Sequence, residues 1–202
     1  MATDPRSFDV VIIGSGFSGS LMAMVCLQLG RSVLLVEKGK HPRFAIGEST
    51  TPLTNLLIEE IAREFSLSFL NDFSNWGRWQ KSHPGVSCGL KRGFSFFHHQ
   101  EGRLFQRHED RRSELLVAAS PSTSLADTHW FREEFDEFLL KKAIDAGVVY
   151  LDRTELIAAE ETESGMSLSC RNSGTGVSIE GKFVIDASGP RGALFRVLGG
   201  RE

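Results

Sequence analysis

The chain has 202 residues, enough for one or two domains with a sizeable core. Hydrophobic residues make up 41% and charged residues 24%, a balance that excludes a disordered or fibrous protein. A formal net charge of −3 excludes a strongly basic, nucleic-acid-binding surface as the main design. The three cysteines, Cys26, Cys88 and Cys170, are widely spaced and odd in number. They predict neither a disulfide framework nor a zinc ribbon, and point to a reducing, cytoplasmic compartment.

Residues 10–30 are apolar, but they form neither a signal peptide nor a membrane span. Asp4 and Asp9 make the start acidic rather than basic, and Gly14-Ser15-Gly16 and Ser18-Gly19-Ser20 interrupt the run. The β-branched run 8–13 instead predicts a buried parallel strand. Residues 17–29 predict a buried helix closed by Gly30, and Val33-Leu34-Leu35-Val36 a second strand. Strand, glycine turn, helix and strand make a βαβ unit.

After a loop over 38–50, Thr51 and Pro52 begin a helix as N-cap and first helical residue, with the stripe Leu57, Ile58, Ile61, Ala62 and Phe65. Residues 66–127 have weaker periodicity. They predict a hairpin around 93–107 and a solvated, charged loop over 103–114. A helix follows over 130–146, with the stripe Phe131, Phe135, Phe138, Leu139, Ala143 and Ala146. A strand at 148–151 precedes three half-buried antiparallel strands at 154–160, 165–171 and 177–186, a meander. His98 and His99 are adjacent, so on a strand they face opposite sides and make a poor metal-chelating pair; no metal site is expected.

Gly14-Ser15-Gly16-Phe17-Ser18-Gly19 has the spacing G-x-G-x-x-G. Its three glycines allow a tight turn, close approach of a pyrophosphate, and helix–strand packing. The helix N-terminus that follows offers free N–H groups to phosphate. Glu37 ends the second strand 23 residues after Gly14, where an acid takes ribose hydroxyls. No lysine follows Gly19, which excludes a P-loop, and Gly16-Phe17-Ser18-Gly19-Ser20 lacks the closing glycine of a nucleophile elbow.

The phosphate loop, the long stretch after the second strand, the meander and the closing Asp186-Ala187-Ser188-Gly189 together resemble the FAD-dependent two-dinucleotide-fold oxidoreductases. These include aromatic hydroxylases, geranylgeranyl reductases and flavin halogenases. The resemblance implies an α/β, Rossmann-like, FAD/NAD(P)-binding three-layer fold with an antiparallel β-meander. Residues 1–202 would form the FAD-binding domain, with 66–127 an insertion toward the flavin and substrate side. Gly14, Gly16, Gly19 and Glu37 would hold the ADP half of FAD, and Phe17, Ser18 and Lys38 would also belong to the cofactor-binding site.

Within that superfamily, His41-Pro42-Arg43-Phe44-Ala45-Ile46-Gly47-Glu48-Ser49-Thr50-Thr51-Pro52 resembles the flavin-dependent halogenases. This likeness implies that Gly47, Glu48, Ser49 and Thr50 lie near the flavin ring. Lys91-Arg92-Gly93-Phe94-Ser95-Phe96 is similar to the segment that carries the catalytic lysine of tryptophan-type halogenases. Lys81, ahead of Pro84-Gly85, is the rival under a phenol-type alignment; a strand position fixes side-chain direction and favours Lys91. Arg132-Glu133-Glu134-Phe135-Asp136 resembles the start of the superfamily's long helix, whose arginine lies near FAD. Asp186 and Gly189 belong to the strand end packed beside the phosphate loop.

In halogenases reduced FAD, supplied by a separate flavin reductase, uses oxygen to oxidise halide. The hypohalous acid then reaches a lysine and an electron-rich aromatic small molecule. The alternatives are an FAD monooxygenase, a geranylgeranyl-type ene reductase, or an inactive FAD- or ADP-binding module. The halogenase motif Trp-x-Trp-x-Ile-Pro and the second Gly-Asp segment of the FAD site do not occur in the 202 residues. The chain is therefore expected to be the N-terminal part of a longer enzyme and inactive by itself.

Overall fold

The computed structural model describes residues 6–200, with Arg6 as backbone alone; Asp4 of the acidic start and Glu202 lie outside them. The chain forms two compact units, one running to Gly47 and resuming at Arg132, the other Glu48–Phe131. Residues 66–127, expected as an insertion, lie within the second.

The first unit is built on a six-stranded sheet in the order β7-β2-β1-β10-β9-β8. Its strands are β1 (Arg6–Ile13), β2 (Val33–Val36), β7 (Val149–Leu151), β8 (Thr154–Thr162), β9 (Gly165–Asn172) and β10 (Thr175–Asp186). β1 pairs in parallel with β2, in the register Val10↔Val33, and with β10, in the register Arg6↔Ile179. A parallel strand is covered on both faces, which is why 10–13 and 33–36 read as unbroken apolar runs. Val11, Leu34, Val36, Leu168 and Ile179 are fully buried in one cluster. Each such side chain contributes roughly 1.5–3 kcal/mol on leaving water. β8, β9 and β10 are the expected meander, and β10 also joins it to the parallel strands.

Helix α1 (Phe17–Gln28) leads from β1 to β2 and ends as expected, with Gly30 at φ +72°. Helix α4 (Arg132–Asp145) packs beside α1, and a short α5 (Ala193–Val197) follows β10. The expected helix over 130–146 starts later than its periodicity suggested. Residues 127–130 are a strand, because Trp130 and Asp127 are taken up as cross-strand partners of Cys88 and Lys91.

In the second unit, α2 (Pro52–Glu64) begins where predicted. Thr51 accepts a hydrogen bond from the Thr54 N–H, and the Thr54 hydroxyl accepts one from the Thr51 N–H. A 3-10 turn (Ser68–Phe73) and α3 (Trp76–Ser82) bury Phe73 edge-on against Trp79, ring centroids 4.7 Å apart. The indole N–H of Trp79 donates to the Val86 carbonyl. Strand β3 (Cys88–Lys91) pairs with β6 (Asp127–Trp130), and β4 (Gly93–Phe97) with β5 (Glu114–Ala118).

The hairpin expected around 93–107 is thus wider. The apolar residues Leu115, Leu116 and Val117 supply its return strand, and most of the charged stretch lies in the connection between the strands. Among the described residues, no helix is long and apolar enough to cross a membrane, and no three metal-ligating side chains cluster.

Candidate functional site

The first unit holds a cleft of about 1100 Å³. The phosphate loop forms one lip. Gly14 sits at φ +105°, where a side chain would be strained, and a Cβ there would lie 2.5 Å from the Ala187 carbonyl. A Cβ on Gly19 would overlap the Gly14 carbonyl, so helix and strand approach this closely only through glycine. Gly16 differs, with φ −66°. A Cβ there would meet nothing nearer than 3.5 Å, and what it would meet is Arg43, Asp136 and Arg132. Any requirement for glycine at 16 therefore comes from a ligand. Gly16 is also the N-cap of α1 and no side chain caps that helix, the arrangement that receives an anion.

Glu37 and Lys38 stand at the end of β2 on the same cleft. Glu37 is buried and more engaged than its sequence position suggested. Its Oε2 accepts from the Ser15 N–H and hydroxyl, both at 3.1 Å, and from Arg43 at 3.3 Å; its Oε1 accepts from the Gly39 N–H at 2.9 Å. Burial pushes this carboxyl up, but those N–H donors, the Arg43 guanidinium and the Ser15 hydroxyl outweigh it and hold Glu37 below its ordinary value. Oε1 retains acceptor capacity for a ribose hydroxyl. The Ser15 hydroxyl also lies 2.8 Å from His41 Nε2.

Arg132, the first residue of α4, is buried. Its Nη1 donates to the carbonyls of Ile46 and Gly47, at 2.9 and 3.2 Å. Its Nε and Nη2 grip the two oxygens of Asp136, at 2.7 and 2.8 Å. Of five N–H groups, one on Nη2 is left to face a ligand. Gly47, at φ +92°, ends this unit.

The far lip follows β10. Asp186 accepts from the Ser188 N–H and hydroxyl and from the Leu194 N–H, which fixes the turn through Gly189. Burial raises the Asp186 carboxyl, and these hydrogen bonds more than reverse it. Among the described residues, Lys38, Arg43, Arg132, Arg191 and Arg196 line the cleft against Glu37 and Glu155, a cationic balance suited to a diphosphate. Arg43, Asp136, Arg191 and Arg196 had no role in the sequence reading. Asp136 stood in a quoted motif, and Arg43 lay six residues beyond Glu37 in a loop without periodicity.

In the second unit, Lys91 closes β3 and is 8% exposed. Its ammonium donates to Ser49 Oγ at 2.7 Å and to the Thr50 carbonyl at 2.5 Å, and lies 4.0 Å from the centre of the Phe94 ring. Thr50 is itself fixed: its N–H donates to the Thr128 carbonyl, and its hydroxyl accepts from the Thr128 N–H. The structure thus brings Ser49, Thr50 and Lys91 together. Glu48 is exposed, and its carbonyl accepts from the Trp130 N–H. Lys81 is exposed on the last turn of α3.

A model of the FAD dependent oxidoreductase family matches residues 9–202. Among curated relatives, the chain is 31% identical over 192 residues to monodechloroaminopyrrolnitrin halogenase PrnC of Pseudomonas fluorescens, covering 95% of this chain and 32% of that protein. It is 30% identical over 199 residues to tetracycline 7-halogenase of Kitasatospora aureofaciens, covering 98% of this chain and 34% of that protein. The chain therefore spans about a third of the length of these relatives. Among solved structures, halogenase PltM in complex with phloroglucinol and FAD superposes with a TM-score of 0.77 at 30% identity, over 95% of this chain and 36% of that one. A geranylgeranyl bacteriochlorophyll reductase-like protein from Thermoplasma acidophilum, at 17% identity and TM-score 0.69, shares the fold.

Proposed function

The chain belongs to the FAD-dependent oxidoreductase family, and within it we propose that it is the cofactor-binding part of a flavin-dependent halogenase acting on an electron-rich aromatic small molecule. The observation that carries this reading is the buried, doubly hydrogen-bonded ammonium of Lys91. A lysine with no chemistry to perform is rarely buried, because its charge loses hydration.

The cleft residues fit FAD. Its diphosphate lies against the loop Gly14, Gly16, Phe17, Ser18 and Gly19 and the N-terminus of α1, with the free Nη2–H of Arg132 turned toward Gly16. Glu37 takes a ribose hydroxyl, beside Lys38. Asp186 and Gly189 hold the opposite lip at the width the loop requires. Gly47, at the end of the first unit, would lie toward the flavin ring. When bound, the flavin supplies oxidation of halide by oxygen.

Lys91 then holds hypohalous acid by a hydrogen bond from its ammonium to the oxygen. The aromatic carbon takes the halogen and gives up its proton, and the oxygen leaves as water. Ser49, Thr50 and Phe94 fix the direction of that N–H, which transfer of a reactive halogen requires. Halide, oxygen and a separate flavin reductase are the partners, in the cytoplasm.

The test uses the product of the complete coding sequence. It should retain FAD and, with a flavin reductase, oxygen and chloride or bromide, add halogen to an aromatic substrate. Oxygenated or hydrogenated product that forms equally well without halide would replace this reading with a monooxygenase or an ene reductase.

A further inference from the structure

The second unit carries a smaller cleft of about 250 Å³ whose lining does not include Lys91. Its walls include Pro52 and Leu56 of α2 and Leu125, ahead of β6. Its polar lining includes Asp127, Asn55 and Ser120. Asp127 is 2% exposed and Ser120 7% exposed. Asp127 Oδ1 accepts from Asn55 Nδ2 at 2.7 Å. A carboxylate only accepts, so this bond orients the Asn55 amide and makes Asn55 Oδ1 an acceptor as well.

Asp127 Oδ2, Asn55 Oδ1 and Ser120 Oγ are all buried, and among the described residues none of the three has a hydrogen-bond partner. Glu59, also on the cleft, is already bound to Arg78 and Ser74. Burial pushes the Asp127 carboxyl up, while Asn55 and the Lys91 ammonium pull it back. Buried acceptors left without donors are costly, and what relieves them is a ligand rich in donors.

We propose that this cleft binds the protonated amine of a small organic cation. Asp127 Oδ2, Asn55 Oδ1 and Ser120 Oγ accept from the ammonium, and Leu56 and Leu125 cover its carbon portion. A primary ammonium has three donors and no acceptor, matching three acceptors beside one negative charge. A bare divalent ion is a poorer fit, since of the two carboxylates on the cleft only Asp127 is buried, and Glu59 is ion-paired to Arg78. The inference does not rest on the halogenase reading.

The test is a titration of the 202-residue chain, labelled with 15N, against benzylamine and against benzyl alcohol. Benzylamine is cationic at neutral pH and benzyl alcohol is its neutral analogue. Benzylamine should cause saturable shifts at the Asn55 side-chain amide and at the Ser120 and Asp127 amides, and benzyl alcohol should bind at least about tenfold more weakly. Asp127→Asn keeps an acceptor for Asn55 Nδ2 and removes the charge, so it should lose at least about tenfold in benzylamine affinity with an unchanged circular dichroism spectrum.

Ser120→Ala should retain binding, weakened by a smaller factor. Equal binding of the two probes would reveal an apolar dimple and overturn the proposal, as would unchanged affinity in Asp127→Asn. No saturable shift up to about 20 mM benzylamine, well above millimolar affinity, would mean that the buried acceptors are met by water alone, and would also overturn it.

Discussion

Arg132 and Asp136 stand one helical turn apart on α4 and meet through two parallel hydrogen bonds, with 9% and 0% of their side chains exposed. The pair does more than hold the helix. It fixes the guanidinium so that Nη1 can anchor the Ile46–Gly47 turn. Removing one member of a buried pair strands the other charge, at a cost of about 3–5 kcal/mol. Asp136→Asn should therefore lower the urea unfolding free energy by about that amount and weaken FAD binding as the turn loosens. A loss under about 1 kcal/mol would show that solvent already reaches the pair.

The phosphate-loop glycines should separate into two kinds. Gly19→Ala places a methyl group into the Gly14 carbonyl and should prevent folding of the first unit. Among the described residues beyond its chain neighbours, the Gly16→Ala methyl meets its nearest atoms, on Arg43 and Asp136, at 3.5 Å, so the variant should fold with the wild-type thermal midpoint while failing to retain flavin. Normal flavin content in Gly16→Ala would remove the pyrophosphate from this loop.

Glu37→Gln tests the ribose contact more cleanly than Glu37→Ala, because the carboxylate also braces Ser15, Gly39 and Arg43. Loss of a charged hydrogen bond is worth roughly 1.5–3 kcal/mol, so FAD affinity should fall about 10- to 100-fold. Fluorescence titration of the apoprotein measures it. An unchanged dissociation constant would assign Glu37 to the fold alone.

The two lysines should behave differently in a halogenating parent. Lys91→Ala should stop halogen transfer yet leave flavin reoxidation by oxygen running. Lys81→Ala, on an exposed turn, should change neither. The reverse pattern would establish the phenol-type alignment.

Acid should act on the carboxylates in opposite directions. Glu37 and Asp186 are held below their ordinary values of 4.5 and 3.8, so their stabilisation is complete above those values and drains away as pH falls through the lower, folded ones. Asp127 is raised above 3.8, so its ionisation weakens the fold at neutral pH and protonation relieves it. Thermal midpoints between neutral pH and pH 3 should drop less steeply in Glu37→Gln than in the wild type, and more steeply in Asp127→Asn.

The βαβ core was legible because a parallel strand is buried on both faces and the glycine spacing has one steric meaning. Residues 66–127 were harder because their short strands take their pattern from distant partners. Cys88 lies opposite Trp130, and Gly93 opposite Ala118. The charged connection between β4 and β5 also moved the return strand beyond the range of a tight-turn signal. Lys91 could be singled out by resemblance, but not its burial, which depends on Ser49 and Thr50 some forty positions earlier. Arg43 was missed as a cleft residue because its ion pair with Glu37 lies in a loop and leaves no periodic trace, whereas Arg132 and Asp136 have the four-residue spacing of a helical ion pair.

The pairing of β1 with β10 has a consequence for synthesis. The ion pair between Lys182 and Asp9, on these neighbouring strands, spans 173 positions. At a ribosomal rate of about 5–20 residues per second, β1 waits on the order of ten to thirty seconds for the neighbour that completes it. Throughout that interval one edge of an apolar strand has no native partner, so the nascent chain is most open to mispairing before β10 emerges.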